Sequence, residues 1–222
     1  MSAAGRAEAE GGCAVRGGAE PAEGRFADVA GAVLVGGTST RMGTDKSRLE
    51  LGGVPLAVRT ARILASLCED VIWVGGAPPA GAPGRAAPDP PGTASSLRGL
   101  VGALEAARAP RVLVVATDLP GLSAELLLAL VALPEADVAL PETDAGPEPL
   151  CALYAREIVL PLARERLAAE RLALRDLLAS LRTSALAGDA LRAFDPEGAV
   201  LANANTPADW ARAQARAGLE ER

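Results

Sequence analysis

The sequence predicts a single α/β domain with a Rossmann-like, doubly wound and mostly parallel β-sheet. Two observations support this fold class. Short apolar runs typical of buried strands alternate along the chain with segments whose apolar residues recur at helical spacing. The run 112–115 contains only Val and Leu, which is typical of a strand covered on both faces of a parallel sheet.

The first half of the chain predicts a tail followed by strands and helices in alternation. Residues 1–27 are mainly Ala, Gly and Glu without apolar periodicity, so we expect a disordered tail before a domain at 28–222. The apolar run 29–35 predicts a buried strand because two glycines end it. Residues 49–51 are expected to be extended, and Pro55 opens a helix with one apolar face. A strand at 71–74 follows, and the Gly- and Pro-rich residues 75–91 predict a long exposed connection.

The second half continues the alternation. A helix over 97–108 leads into the apolar strand 111–117, after which Ser123 can cap a helix that runs to Leu133. Strands are predicted at 138–140 and 150–154, the second of them with a different topology, and helices at 156–168 and 172–181. A last strand near Val200 and a helix from Pro207 to about Arg216 complete the domain.

Charge and composition exclude several classes of function. The chain has 28 acidic and 22 basic residues, and this net charge of −6 argues against nucleic acid or an anionic membrane as the main partner. It has no histidine, which excludes Ser-His-Asp, Cys-His and histidine–metal chemistry. Its three cysteines, Cys13, Cys68 and Cys151, are far apart, so no zinc or disulfide framework is expected. Because no apolar run is long enough for a signal segment or a membrane span, we expect a cytoplasmic protein.

A glycine-rich segment directly after the first strand predicts a phosphate-binding loop. The backbone amides of Gly36 and Gly37 can approach phosphate oxygens without obstruction by a Cβ atom, and Arg41 and Lys46 supply positive charge. Lys46 is the only lysine beside 21 arginines, which indicates a site that needs a compact ammonium group. The spacing matches neither Walker A nor G-x-G-x-x-G, which disfavours a P-loop ATPase or a dinucleotide-binding dehydrogenase. The alternative is a glycine turn with solvated charges.

Four further polar residues are candidates for the site. Asp118 follows the most apolar strand, where it can bind Mg²⁺ together with substrate phosphates or cap the next turn. Asp89 can contact a base or ribose, or be an incidental acid in an exposed loop. Asn203 and Asn205 are the only asparagines, and in an extended segment they point to one side, toward a metal or a second substrate. Alternatively, Asn205 or Thr206 only caps the following helix.

With these residues in view, the sequence resembles the molybdenum cofactor guanylyltransferase (MobA) family, nucleotidyltransferases of the glycosyltransferase-A-like, nucleotide-diphospho-sugar transferase-like fold. The resemblance runs from about Val29 to Trp210. Its most specific element, Leu-Val-Gly-Gly at 34–37 through Arg-Met-Gly-Thr-Asp-Lys at 41–46, is similar to the family pattern L-A-G-G-x-x-x-R-M-G-x-D-K. Further matches are Gly-Val-Pro-Leu at 53–56, Thr-Asp-Leu-Pro at 117–120, Pro-Leu-Cys-Ala-Leu-Tyr at 149–154 and Asn-Ala-Asn-Thr-Pro at 203–207.

The resemblance implies that residues 28–222 are a Mg²⁺-dependent nucleotidyltransferase domain that transfers GMP from GTP to the terminal phosphate of the molybdopterin cofactor. Asp118 would bind both nucleotide and Mg²⁺, Asp89 the guanosine, and Arg41 would neutralise charge during transfer. Asn203 and Asn205 are expected at the second substrate. The family resemblance also implies contact with proteins that insert molybdenum or mature molybdoenzymes. The residues implied to bind GTP through the loop are Leu34, Val35, Gly36, Gly37 and Lys46.

Two departures from the family pattern bear on the site. Val35 replaces the usual alanine, and Glu148-Pro149 stands where members often carry His-Pro, which puts the molybdopterin contacts in question. The alternatives are a molybdopterin cytidylyltransferase or another nucleotidyltransferase of this fold, and a non-catalytic nucleotide-binding accessory module. Asp45-Lys46 followed by Leu49-Glu50-Leu51 looks more like the guanylyl enzymes, and the presence of both Asp118 and Lys46 argues against an inactive module.

Overall fold

The computed structural model describes residues 25–35, 49–88, 90–204 and 206–220. Strands and helices alternate along most of this length, as the sequence predicts. The strands are β1 Val29–Leu34, β2 Glu50–Leu51, β3 Val54–Pro55, β4 Val71–Val74, β5 Arg85–Ala87, β6 Arg111–Ala116, β7 Val138–Thr143, β8 Gly146–Pro147, β9 Cys151–Ala155 and β10 Thr183–Ala187. The helices are α1 Leu56–Leu67, α2 Ser96–Ala106, α3 Ala124–Val131, α4 Arg156–Ala168, α5 Leu174–Leu178, α6 Gly188–Arg192 and α7 Pro207–Glu220.

One mixed sheet organises the fold, with the strand order β10-β7-β9-β6-β1-β4-β5 and β8 paired beside β7. The predicted mostly parallel, doubly wound sheet is confirmed: β1 pairs in parallel with both β4 and β6, and β10 pairs in parallel with β7. The strand predicted to differ in topology does so, because β9 is antiparallel to both β6 and β7. The carboxyl ends of β1, β4, β6 and β7 and the start of β9 therefore lie at one edge, where ligands of such sheets bind.

Two apolar layers cover the sheet. One face packs mainly against α1 and α3, and the opposite face against α2, α4 and α5. Leu, Val and Ala fill both layers, with Trp73 and Tyr154 as the large rings that are fully buried. The approach of α1 to β1 depends on a glycine, since a Cβ atom at Gly31 would lie 2.9 Å from the Leu64 Cβ. In the part of the chain that the structure describes, no helix is both long and apolar enough to cross a bilayer.

The predicted starts of two helices are confirmed. Pro55 immediately precedes α1, with a φ of −55° that suits the entry into a helix. Ser123 caps α3 by accepting a hydrogen bond from the Leu126 backbone N–H at 3.2 Å. Two residues before the predicted domain boundary at 28, Phe26 already forms a β-bridge to Cys68. This contact ties the residues just before β1 to the end of α1.

The prediction of a last strand near Val200 is wrong. Residues 199–202 are irregular. The backbone N–H groups of residues 199–201 donate to a carboxylate, as described below, and that of Ala202 donates to the Ala199 carbonyl, so none joins a strand ladder. The sheet's outer strand is instead β10, a run of small and largely exposed residues. The prediction that 75–91 is one long connection also needs correction, since β5 lies within it and extends the sheet beside β4.

Candidate active site

The carboxyl edge of the sheet brings together four of the predicted site residues: Leu34, Val35, Asp118 and, through the segment described next, Asn203. Leu34 ends β1, and Val35 follows with its backbone N–H donating to the Val74 carbonyl at 2.8 Å. Asp118 lies two residues beyond β6, the neighbour of β1. The predicted residues Gly36, Gly37, Arg41, Lys46, Asp89 and Asn205 lie outside the described residues.

Asp118 is joined to the C-terminal segment by a backbone hydrogen bond. The N–H of Ala204 donates to the Asp118 carbonyl at 2.9 Å, which holds the neighbouring Asn203 at this edge of the sheet. On the other side, the N–H of Ala116 donates to the Leu150 carbonyl at 2.8 Å. Three chain segments that are distant in sequence therefore meet around Asp118.

Glu148 lies at the same edge of the sheet. The sequence analysis noted it only as a departure from a family pattern. Its side-chain carboxylate accepts hydrogen bonds from the Leu150 backbone N–H and the Asn203 side chain. Burial, followed by the nearby charge of Asp118, raises the pKa of the Glu148 carboxyl above its usual value. The turn that carries Glu148 is anchored from β9, because the buried Tyr154 hydroxyl donates to the Pro149 carbonyl at 2.7 Å.

A buried carboxylate, Asp195, shapes the segment that leads to Asn203. Its side chain is only 7% exposed and accepts the backbone N–H groups of Ala199, of Val200 at 3.0 Å and of Leu201 at 3.2 Å. Because three backbone N–H groups donate to this one carboxylate, residues 199–201 are held in a turn without pairing to a strand. The sequence analysis missed Asp195; the signal available was an acid directly before a Pro-x-Gly turn.

The start of α7 tests the interpretation in which Asn205 or Thr206 caps the helix. The Thr206 hydroxyl accepts from the Asp209 backbone N–H at 3.2 Å, and the Asp209 carboxylate accepts from the Thr206 backbone N–H at 2.9 Å. This reciprocal arrangement is a capping box. The alternative in which Thr206 caps the helix is therefore confirmed, and the Asn203 amide is directed to Glu148 and not to the helix start.

The donors at this edge fit a magnesium ion. Within the described ranges, no group of three or more His, Cys, Asp or Glu side chains converges as a metal cage would require. Asp118 and Glu148 instead form a pair of neighbouring carboxylates, with the Asn203 amide beside Glu148. Mg²⁺ commonly takes one or two protein carboxylates and completes its octahedron with water and substrate phosphates. Such a pair suits an ion that arrives with a polyphosphate.

The fold is a doubly wound α/β sheet with a pair of carboxylates at the edge where such sheets bind ligands. A model of the MobA-like NTP transferase domain matches residues 31–186, and the chain belongs to that family.

Named relatives and solved structures agree with this membership. The chain is 33% identical to the "probable molybdenum cofactor guanylyltransferase" of Chloroflexus aggregans over 86% of this chain and 95% of the relative. It is 35% identical to a protein of the same description from Synechococcus elongatus, over 80% of this chain and 94% of the relative. The crystal structure of molybdopterin-guanine dinucleotide biosynthesis protein A from Archaeoglobus fulgidus superposes with a TM-score of 0.71 at 25% identity, covering 86% of this chain and 99% of that one.

Proposed function

We propose that this protein transfers GMP from GTP to the terminal phosphate of molybdopterin, giving molybdopterin guanine dinucleotide and pyrophosphate. The names of the relatives at 33% and 35% identity support the substrates. The observation that carries the proposal is the convergence of Asp118, Glu148 and Asn203 at the sheet edge beside the end of β1. By their chemistry, these groups suit a reaction between two phosphates.

The reaction needs positioning and charge neutralisation more than proton transfer. An oxygen of the molybdopterin phosphate forms a bond to the α-phosphorus of GTP. The bond that joins this phosphorus to the β-phosphate, in line with the new bond, breaks, and its electron pair leaves with pyrophosphate. The attacking phosphate is already ionised, so a site without histidine is sufficient. We assign the neutralisation of phosphate charge to Arg41 and Lys46 and the guanosine contact to Asp89.

Asp118 and Glu148 are the residues that would hold Mg²⁺. When bound, the ion supplies Lewis-acid stabilisation of the charge on the phosphate oxygens. In this assignment the backbone of residues 34–37 binds the GTP phosphates, while Asn203 and Asn205 face the acceptor. We further propose that the protein works in the cytoplasm, in contact with proteins that insert molybdenum or mature molybdoenzymes.

The decisive experiment measures pyrophosphate release with Mg²⁺ and molybdopterin, comparing GTP, CTP, ATP and UTP. Release that depends on molybdopterin and occurs with GTP alone supports the proposal. Preference for CTP would make the protein a cytidylyltransferase of the same fold, and no release with any nucleotide would favour a non-catalytic nucleotide-binding module.

Variants then test the assigned residues. We expect Asp118→Ala to lower turnover by roughly 100-fold or more with the fold retained. The substitution removes a carboxylate that is assigned to Mg²⁺ beside the transferred phosphate. Asp144→Ala, which changes an exposed carboxylate between β7 and β8, is the matched control. Lys46→Arg should impair turnover although the charge is kept. Wild-type turnover in Asp118→Ala would overturn the metal assignment, and wild-type turnover in Lys46→Arg would remove the special role of the lysine.

A further inference from the structure

A cavity opens beside the candidate active site on the face of the sheet that carries α1. Its volume is about 140 Å³, whereas one water needs roughly 10–15 Å³ of such space, so a group the size of a phosphate fits. The turn after Asp118, at Pro120 and Gly121, forms one side of it, and the segment that ends at Asn203 forms another. The cavity is therefore continuous with the residues around Asp118.

The wall of this cavity is basic in a protein whose net charge is −6. Among the described residues, three arginines line it, Arg59 from α1 and Arg212 and Arg216 from α7, and Asp209 is the one acidic residue of this lining. The Asp209 carboxylate already has partners within the protein, since it caps α7 and forms an ion pair with Arg212. The cavity therefore keeps an excess of positive charge.

The remaining two arginines are available for an anion. Within the described ranges, Arg59 is half-buried and has no hydrogen bond or ion pair to another residue. Arg216 reaches its acidic neighbour, Glu197, only at 4.0 Å, beyond hydrogen-bond distance. A guanidinium in such a cavity provides a planar fork of N–H donors that matches phosphate oxygens.

The position of the cavity distinguishes it from the proposed guanosine site. It is lined from α1, which covers one face of the sheet, whereas the connection that carries Asp89 leads into α2 on the opposite face. Pro90 in this connection lies against α2, since a Cβ atom at Gly102 would be 3.0 Å from the Pro90 ring. In the proposed transfer the acceptor oxygen attacks the α-phosphorus on the side opposite the leaving pyrophosphate, and the guanosine stays attached to that phosphorus, so the acceptor needs a site separate from that of the guanosine.

We propose that this cavity is the subsite for the acceptor's phosphomonoester end, held by Arg59 and Arg216, an inference that rests on the proposed function. In this arrangement Asn203 lies at the junction between the subsite and Asp118. The two arginines act as binding residues for the acceptor, whereas the glycine loop and Lys46 bind the nucleotide.

The kinetic test uses Arg59→Gln, Arg216→Gln and, as a matched control, Arg62→Gln, which changes an exposed arginine of the same helix outside the cavity. Removing one charge-assisted contact is expected to raise the KM for molybdopterin roughly 10-fold or more, while the KM for GTP stays within about twofold. Arg59→Lys should recover part of the loss. An unchanged molybdopterin KM in both variants, or an equal rise in the KM for GTP, would overturn the proposal.

A second test does not depend on turnover. Wild-type protein is treated with phenylglyoxal, and modification of individual arginines is followed by peptide mass spectrometry with inorganic phosphate, metal-free molybdopterin or GTP present. We expect phosphate and molybdopterin, but not GTP, to slow modification of Arg59, with Arg62 unaffected. If wild-type protein releases no pyrophosphate, the proposed function fails, yet protection by phosphate still supports an anion subsite. No protection of Arg59 relative to Arg62, or protection by GTP, refutes the subsite.

Discussion

Replacement of Asp195 by alanine tests whether one buried carboxylate holds the asparagine segment in place. In the wild-type protein this carboxylate accepts three backbone N–H groups from residues 199–201 and is 7% exposed. A single hydrogen bond to a charged group contributes roughly 1.5–3 kcal/mol, and three bonds that share one carboxylate are not additive. We therefore expect Asp195→Ala to lower the free energy of unfolding by about 3–4 kcal/mol.

Urea unfolding followed by circular dichroism measures this change, and pyrophosphate release measures its effect on the site. A loss of that size corresponds to a fall in Tm of roughly 6–16 °C for a domain of this length. Asp195→Asn keeps one acceptor oxygen and should lose about half as much. Asp189→Ala is the control, since that carboxylate is 97% exposed and forms a surface ion pair with Arg192, and it should cost under about 0.5 kcal/mol.

The reasoning also predicts a functional consequence. Because residues 199–201 lead directly to Asn203, Asp195→Ala should lower kcat/KM even at a temperature where the variant remains folded. A variant within about 0.5 kcal/mol of the wild-type stability would refute the structural role of Asp195. Lost stability with unchanged kcat/KM would show that Asn203 keeps its position without this support.

Three further predictions concern other parts of the fold. Gly121→Ala would place a Cβ atom 2.5 Å from the Ala199 carbonyl oxygen, so we expect a loss of about 1–3 kcal/mol, measured by urea unfolding. Hydrogen bonds from Arg182 lower the pKa of Asp137, so its stabilising effect is complete above the unfolded-state pKa of about 4 and is lost as pH falls through the native pKa. The difference in Tm between wild type and Asp137→Asn should therefore shrink from pH 5 to pH 2.5; a constant difference would contradict this. Burial raises the pKa of the Cys151 thiol to about 12, so iodoacetamide at pH 8 should modify it only after unfolding in urea, as peptide mass spectrometry can show.

The strands that position the site could be predicted from sequence because their periodicity is strong. Strands β1, β4 and β6 are continuous apolar runs, and each lies in the interior of the sheet. Strand β10 could not be found in this way, since Thr183–Ala187 is an outer strand of small residues with little apolar signal. The apolar residues at 199–201 mislead in the opposite direction, because the carboxylate of Asp195, four to six residues earlier, accepts their N–H groups and removes them from any strand ladder.

Some residues of the candidate site could likewise be predicted from sequence, and others could not. Asp118 and Asn203 could be predicted because one follows an unmistakable strand and the other belongs to a rare residue type in a short motif. Glu148 could not be placed, because its proximity to Asp118 depends on β9 running antiparallel beside β6. Arg59 and Arg216 are 157 positions apart and meet only through the packing of α1 and α7 around one cavity. Contacts of this kind follow from tertiary structure and leave no local pattern.

Strand order explains how one aspartate can serve two substrates. In the sequence of neighbours β4-β1-β6-β9, β6 lies between the strand that precedes the glycine loop and the strand that Glu148 precedes. In the proposed function, a group at the end of β6 lies between a nucleotide bound after β1 and the side of the edge that carries Glu148 and Asn203. In-line geometry in the proposed transfer requires the acceptor oxygen to lie opposite the bond to the leaving pyrophosphate, and an acceptor that approaches Asp118 from a different side than the nucleotide is compatible with it. The proposed reaction then needs charge neutralisation, a role that we assign to Arg41, Lys46 and the metal-binding carboxylates and that requires no histidine.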